Sequence, residues 1–577
     1  MNSLLLTGIC FVGYLLAYHT YGKFLAQAVF KINPEARCPS AALEDGTDYV
    51  PTKRSVLFGH HFTSIAGLGP IVGPAIAIIW GWLPAVLWVF FGSIFMGAVH
   101  DFGSLMVSLR HQGRSVGDLA AGLINNRVRA LFLLIIFFEL LIVIAVFALI
   151  IGILFNLYPA AVLPVWAEVP IAVYLGHLIY RKKANHNLWS TIAVVVMYLT
   201  VIIGSYLPVQ MPSLFGLNPV VIWVLIMLLY AAAASILPVT TLLQPRDYIN
   251  AHQLFIAMIL LLIGVAVARP VFVAPVVNLH PQGAPPMLPF LFIIVACGAI
   301  SGFHSLVSSG TSAKQCRTEQ DALFIGYGSM LTEAALSTLV IVAVGAAVGL
   351  GLPDSKGELL TGSAAFTSHY ASWAGAAGLA AKLKVFVTGS ANLMTSCGIP
   401  QKVALTIMGV FLVSFAATTL DSAARIQRYV VSELAQAYKV PVLAGPWPAT
   451  GIAVCSAALL AFHRGTALAD VQQGALSLWP LFGTVNQLMA AMALLVVTVF
   501  LARRRTPIAA TAAPLLFMLL ITGWAMLYNL HDFLHKANWM LFGIGTAVFF
   551  LEIWMVVETA IVLRTVMRDR KSKAACA

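Results

Sequence analysis

About fifteen apolar runs, each near the ~20 residues that an α-helix needs to cross a bilayer, follow one another along this chain from 4–28 to 538–565. No interval between them is long enough for a soluble domain. The sequence therefore predicts an all-α polytopic membrane protein. Of its 577 residues 60% are hydrophobic and 9% charged, whereas soluble domains carry about 25% charge. The 33 Lys+Arg against 21 Asp+Glu then mark cytoplasmic loops rather than a nucleic-acid surface. None of the seven cysteines forms a C-x-x-C pair, so neither a disulfide framework nor a zinc knuckle is expected.

Basic residues cluster at Lys31 to Arg54, Arg110 to Arg129, Arg181 to Lys183, Arg246, Lys314 to Arg317, Arg425 to Lys439, Arg503 to Arg505 and Arg564 to Lys573. If the runs alternate, every cluster lies on one side. The positive-inside rule then puts the N-terminus outside and the C-terminus in the cytoplasm. The first run lacks a basic n-region and a cleavage site and reads as a retained helix.

One run cannot be an ordinary span. HHFTSIAGLGPIVGPAIA, residues 60–77, packs Gly67, Gly69, Pro70, Gly73 and Pro74 into apolar sequence. Each proline removes a backbone donor, and each glycine leaves helical angles cheaply. Unpaired backbone at membrane depth is tolerated only inside protein or beside a wet cavity. Broken helices of this kind build transporter sites; a kinked continuous helix is the plainer alternative. A second weakened run, CGAISGFHSLVSSG within 290–310, enters from the other side. Each is followed by one span and then an amphipathic surface stretch, 115–126 and 362–391. This pattern fits two five-helix repeats of inverted topology, at 62–208 and 288–502. Spans 217–268 form a bridge, 1–30 and 508–577 are peripheral, and 31–61 is a cytoplasmic segment. Trp80 and Trp82 read as interface anchors.

Ionisable groups inside spans are costly and mark sites by default. In FAATTLDSAARIQRYV, Thr418 and Ser422 share a helix face, with Thr419 and Asp421 beside them. With carbonyls freed by the break at 67–74 they would make an oxygen site for a coupling cation, or Asp421 would carry the coupling proton. Alternatively Asp421 pairs with Arg425 at i+4. Ser64, Gly67, Gly69, Gly73, Ser301, His304 and Ser305 are the substrate-binding candidates at the two breaks. His60 and His61 stand at the cytoplasmic entrance. His100, Asp101 and Glu333 are proton-relay candidates, with a satisfied packing pair as the alternative for His100 and Asp101. Arg246 and Asp247 form a gate or an interfacial anchor. No H-E-x-x-H spacing supports a metal site, and no cofactor is expected beyond Na⁺ or H⁺ as coupling ion.

VPTKRSVLFGHHFTSIAGLGPIVGPAIA, LPVTTLLQPRDYIN and TTLDSAAR resemble the signatures of the carbon starvation protein A family, from about Asn2 to Arg503–Arg505. The resemblance implies a bacterial inner-membrane transporter for peptides or, in some members, pyruvate with protons. It also implies a LeuT-like core similar to amino-acid and sodium-solute symporters, with a cation site between the first and eighth core helices. That would set Gly67 to Gly69 opposite Thr418, Thr419 and Ser422. The expected function is gradient-driven import of a peptide or small carboxylate, with lipid as the surroundings. An intramembrane metal-dependent enzyme using His100, Asp101 and His304, or a passive channel, would be the alternatives.

Overall fold

The computed structural model describes residues 2–354, 357–373 and 379–575. Among them, twelve helices are long and apolar enough to cross a membrane, or thirteen with the bent pair Arg54–Ile65 and Gly69–Trp80 taken as one. The count of fifteen exceeds this by two runs. One is divided into two short helices, Met287–Ile294 and Gly302–Gly310. The other is the 16-residue Pro446–Ala461, which at 1.5 Å per residue falls short of a ~30 Å hydrocarbon core. The chain is a multi-pass membrane protein. Its most enclosed spans are Leu468–Arg503, Gln401–Ala437 and Leu323–Leu350, while Ser3–Val29 and Trp539–Val562 lie at the rim.

The first broken element starts earlier than the sequence suggested. Its helix runs from Arg54 to Ile65, so 54–61 belongs to it and not to a cytoplasmic segment. His60 and His61 are fully buried within this half-helix rather than standing at an entrance. Only Ala66 to Leu68 unwind, and Gly69–Ala77 resumes at an angle of 45°. The prolines do not break the second half. Pro70 occupies its first turn, where the missing N–H is no loss. Pro74 leaves the Pro70 carbonyl without its helical partner, and the Ser337 hydroxyl donates to that carbonyl at 3.0 Å instead.

The second broken element unwinds between Ile294 and Gly302. Ser301 holds the N-cap position, but its side chain caps nothing. Asn486, on Leu468–Arg503, does so from outside: its Oδ1 accepts from the Phe303 amide at 2.9 Å and the Ser301 hydroxyl at 3.1 Å. The Trp88 indole donates to the freed Val295 carbonyl at 2.9 Å.

The two breaks touch. A Cβ on Gly69 would fall 2.3 Å from Cys297 Sγ, and one on Gly73 would fall 2.5 Å from the Ile294 carbonyl oxygen. The surface helices are Val116–Leu123, capped by Ser115, and Gly362–Tyr370. Of the 362–391 stretch, residues 374–378 lie outside the described residues. Trp80 and Trp82 are not interface anchors; they are 0% and 5% exposed and pack on Trp373 and Phe272.

Candidate functional site

A helix that stops inside the protein leaves carbonyls without partners. In Arg54–Ile65 the Phe62 and Ile65 carbonyls are taken by the Ala66 and Gly67 amides at the break. Those of Thr63 and Ser64 are taken from the side by Gln401–Ala437: Thr418 Oγ1 donates to Thr63 at 3.1 Å, and Thr419 Oγ1 to Ser64 at 3.4 Å. The Ser64 and Ser422 hydroxyls meet at 3.2 Å. All five residues are buried. Gly67 is required here by space, since a Cβ would stand 2.3 Å from Thr419 Oγ1. The expected neighbours therefore come together, as three pairs of carbonyl and hydroxyl oxygens, the donor type that suits a hard cation.

Asp421 points its hydrogen bonds elsewhere. The Tyr230 hydroxyl donates to its Oδ2 at 3.0 Å, and the Arg246 guanidinium pairs with the same oxygen. The i+4 pair with Arg425 does not form. Arg425 bonds Asp48 at 3.2 Å and the Ala234 and Leu237 carbonyls, because partners on neighbouring elements lie nearer than one turn along its own helix. Arg246 is likewise no interfacial anchor. It is 3% exposed and sits among three acids, Asp421, Glu168 at 3.9 Å and Asp247 at 4.0 Å. Asp247 in turn meets His60 at 2.6 Å, and Glu168 accepts from Ser414 at 3.0 Å. Glu168, Tyr230, Thr63 and Asn486 were not singled out from the sequence. A Glu and an Asn inside apolar runs carry the same cost signal that flagged Asp421; a tyrosine and a threonine carry none.

A second polar chain joins Ala98–Leu109 to Gly302–Gly310 and Ser329–Gly345. His100 Nδ1 meets Asp101 Oδ1 at 2.7 Å, His304 Nδ1 meets Asp101 Oδ2 at 2.9 Å, and His304 Nε2 lies 3.4 Å from Glu333. All four side chains are 0% exposed. His61 pairs with Ser312 at 2.7 Å. Ser305 is buried, and its hydroxyl donates to the Gly302 carbonyl at 2.7 Å. Among the described residues no three His, Cys, Asp or Glu converge in a way that could hold a metal ion.

The cap supplied by Asn486 makes a modest prediction. Asn486→Ala removes the acceptor for two buried donors, at about 1–3 kcal/mol, and lowers the thermal unfolding midpoint. Asn486→Asp keeps the acceptor geometry. Equal midpoints for wild type and Asn486→Ala would show that the cap contributes nothing.

The profile of carbon starvation protein CstA matches residues 2–525. The pyruvate/proton symporter BtsT of Escherichia coli (strain K12) is 32% identical over 576 residues, covering 89% of this chain and 80% of that protein. The peptide transporter CstA of Bacillus subtilis (strain 168) is 30% identical over 553 residues, covering 91% and 89%. A crystal structure of a mutant Eremococcus coleocola manganese transporter aligns with TM-score 0.51 at 10% identity, over 91% of this chain and 99% of that one. At that identity the likeness speaks to the fold alone, which is a LeuT-like core. The relatives are transporters, and the intramembrane-enzyme alternative gives way to them. A profile that spans nearly the whole chain, with relatives matched over most of their length, shows that this protein belongs to the carbon starvation protein CstA family.

Proposed function

We propose that this chain is a secondary active transporter of the bacterial inner membrane that imports a peptide or a small carboxylate such as pyruvate. Its N-terminus lies outside and its C-terminus in the cytoplasm. A proton or sodium gradient drives it. The observation that carries this reading is the junction at Ala66 to Leu68, where the Thr63 and Ser64 carbonyls meet the Thr418, Thr419 and Ser422 hydroxyls. These oxygens bond one another in the present state. A cation arriving among them would exchange those bonds for coordination and pin the half-helix to Gln401–Ala437. Alternatively, the chain His100–Asp101–His304–Glu333 would hand a proton between the repeats, since each member lies within reach of the next. The substrate classes rest on the names of the relatives.

The two breaks pack directly on each other. The contacts Gly69–Cys297 and Gly73–Ile294 leave no room for substrate between them. Alternating access would then proceed by parting these half-helices, which would expose the Leu68 and Gly69 amides, neither of which has a hydrogen-bond partner among the described residues. Amides at a half-helix start suit a substrate carboxylate. Purified protein in liposomes should concentrate labelled pyruvate or a dipeptide when an inward proton or sodium gradient is imposed. Flux that only equilibrates, with no response to either gradient, would favour the passive channel and reject coupling.

A further inference from the structure

A cavity of about 370 Å³ borders both broken elements, within the ~300–1,000 Å³ of small-molecule sites. Its floor is Ile76, near the end of the first broken helix, with Ile293 and Ile294 just before the second break. Trp373, Trp479, Phe290 and Tyr528 form apolar walls. Lys382 also lines it, from Leu379–Ser396, a helix that is not among the twelve spans. This lysine is 5% exposed, and its Nζ lies 5.5 Å from the centre of the Trp373 ring. Among the described residues it has neither an ion pair nor a hydrogen bond. The acid on the same wall, Asp532, is taken by Lys536 at 2.8 Å. The other charged or titratable neighbours are Lys384, which is exposed, and His369. Burial, then Lys382 and Lys384, pull His369 down to about 4, so it stays neutral near pH 7. A buried ammonium without a counter-charge is costly, and an aromatic cavity beside it supplies both halves of a recognition site for an amphiphilic anion.

We propose that this cavity binds a small organic carboxylate before it reaches the breaks, its carboxylate pairing with Lys382 and its apolar part packing on Trp373, Trp479 and Phe290. The proposal rests on the transporter reading for its biological sense, but its chemistry is testable without transport. A free monocarboxylate and the C-terminal carboxylate of a short peptide share that chemistry.

The test is titration of full-length protein in detergent, followed by tryptophan fluorescence, with pyruvate and Ala-Ala as probes and their amides as carboxylate-free controls. Pyruvate, Ala-Ala or both should bind and the amides should not; which acid binds identifies the source. Lys382→Met should weaken binding about tenfold or more, as expected for a lost charge-assisted contact. Lys384→Met should bind like wild type. Burial pulls Lys382 down to about 7, so the charged fraction falls as pH rises through that value. Wild-type affinity should therefore drop from pH 6 to pH 8, while Lys382→Arg, charged throughout, should hold steady. That comparison decides the matter if Lys382→Met does not fold. Unchanged affinity in Lys382→Met, equal binding of the amides, an equal pH response in Lys382→Arg, or no binding of either acid would overturn the proposal. Wild-type uptake by Lys382→Met with an unchanged KM would sink this site and leave the transporter reading standing. Absence of concentrative uptake by wild type, with Lys382-dependent binding retained, would do the reverse.

Discussion

Asp421→Asn is expected to abolish uptake driven by an ion gradient while leaving substrate counterflow intact. Asp421 sits one turn beyond Thr418 and adjoins Ser422 in sequence, so it is covalently tied to the helix that closes the break at Gly67. Its Oδ2 is shared by Tyr230 and Arg246, while its Oδ1 has no partner among the described residues. A carboxylate with one idle oxygen and one held by a guanidinium can accept a proton or cation at the first and loosen the second. Asparagine keeps the size and still offers Arg246 a carbonyl, but it cannot change charge. Coupling is then lost while the cavity and the breaks persist. Gradient-driven uptake by Asp421→Asn at the wild-type rate would remove this residue from the mechanism.

Arg246→Met provides the structural comparison. It leaves Asp421, Glu168 and Asp247 in one buried neighbourhood without their common cation, a loss of about 3–5 kcal/mol when one partner of a buried pair is removed. Combining it with Asp421→Asn removes one of the stranded charges and should recover part of the unfolding midpoint, a coupling expected of residues in contact. A low midpoint in Arg246→Met together with a normal one in Asp421→Asn separates folding from coupling.

These residues also show which features the sequence makes legible. Clustered glycine and proline announced a break near Gly67, because the cost of irregular backbone in a bilayer is written in composition. The extent of the break was misjudged: it was expected over 67–74 and is confined to Ala66 to Leu68. Pro70 and Pro74 look like breakers until the Ser337 hydroxyl is known to donate to the freed Pro70 carbonyl, and that partner lies 267 residues away from Pro70. Helical spacing correctly put Thr418 and Ser422 on one face. It could not tell that Asp421 would choose Arg246 over Arg425, since i+4 proximity is local and the winning partner comes from another span. His60 and His61 look like surface residues beside Lys53 and Arg54. Only packing shows that Asp247 and Ser312 satisfy them in the interior. Legibility therefore stopped where a buried polar group is satisfied by a distant segment.

Gly73→Ala should be more damaging than the same change at Gly69 or Gly8. Three glycines form a graded series. At Gly8 an added Cβ meets nothing within 4 Å, so Gly8→Ala should be silent. At Gly69 it would meet Cys297 Sγ and Cβ at 2.3 and 2.5 Å. That obstacle is a side chain, and Cys297→Gly should relieve it. At Gly73 the obstacles are backbone, the Ile294 carbonyl oxygen at 2.5 Å and Val295 Cα at 3.1 Å. No rotamer clears them, so the two broken elements must move apart. Overpacking of this kind costs about 1–3 kcal/mol or more. The damage to function should exceed the damage to stability, because the contact that is prised open is the one whose parting would expose the Leu68 and Gly69 amides. Uptake by the three variants in liposomes, with unfolding midpoints measured alongside, should rank Gly8→Ala, Gly69→Ala, Gly73→Ala in order of increasing loss. Cys297→Gly should restore the second and not the third. Full uptake by Gly73→Ala would mean that the two breaks need not touch at any stage of the cycle.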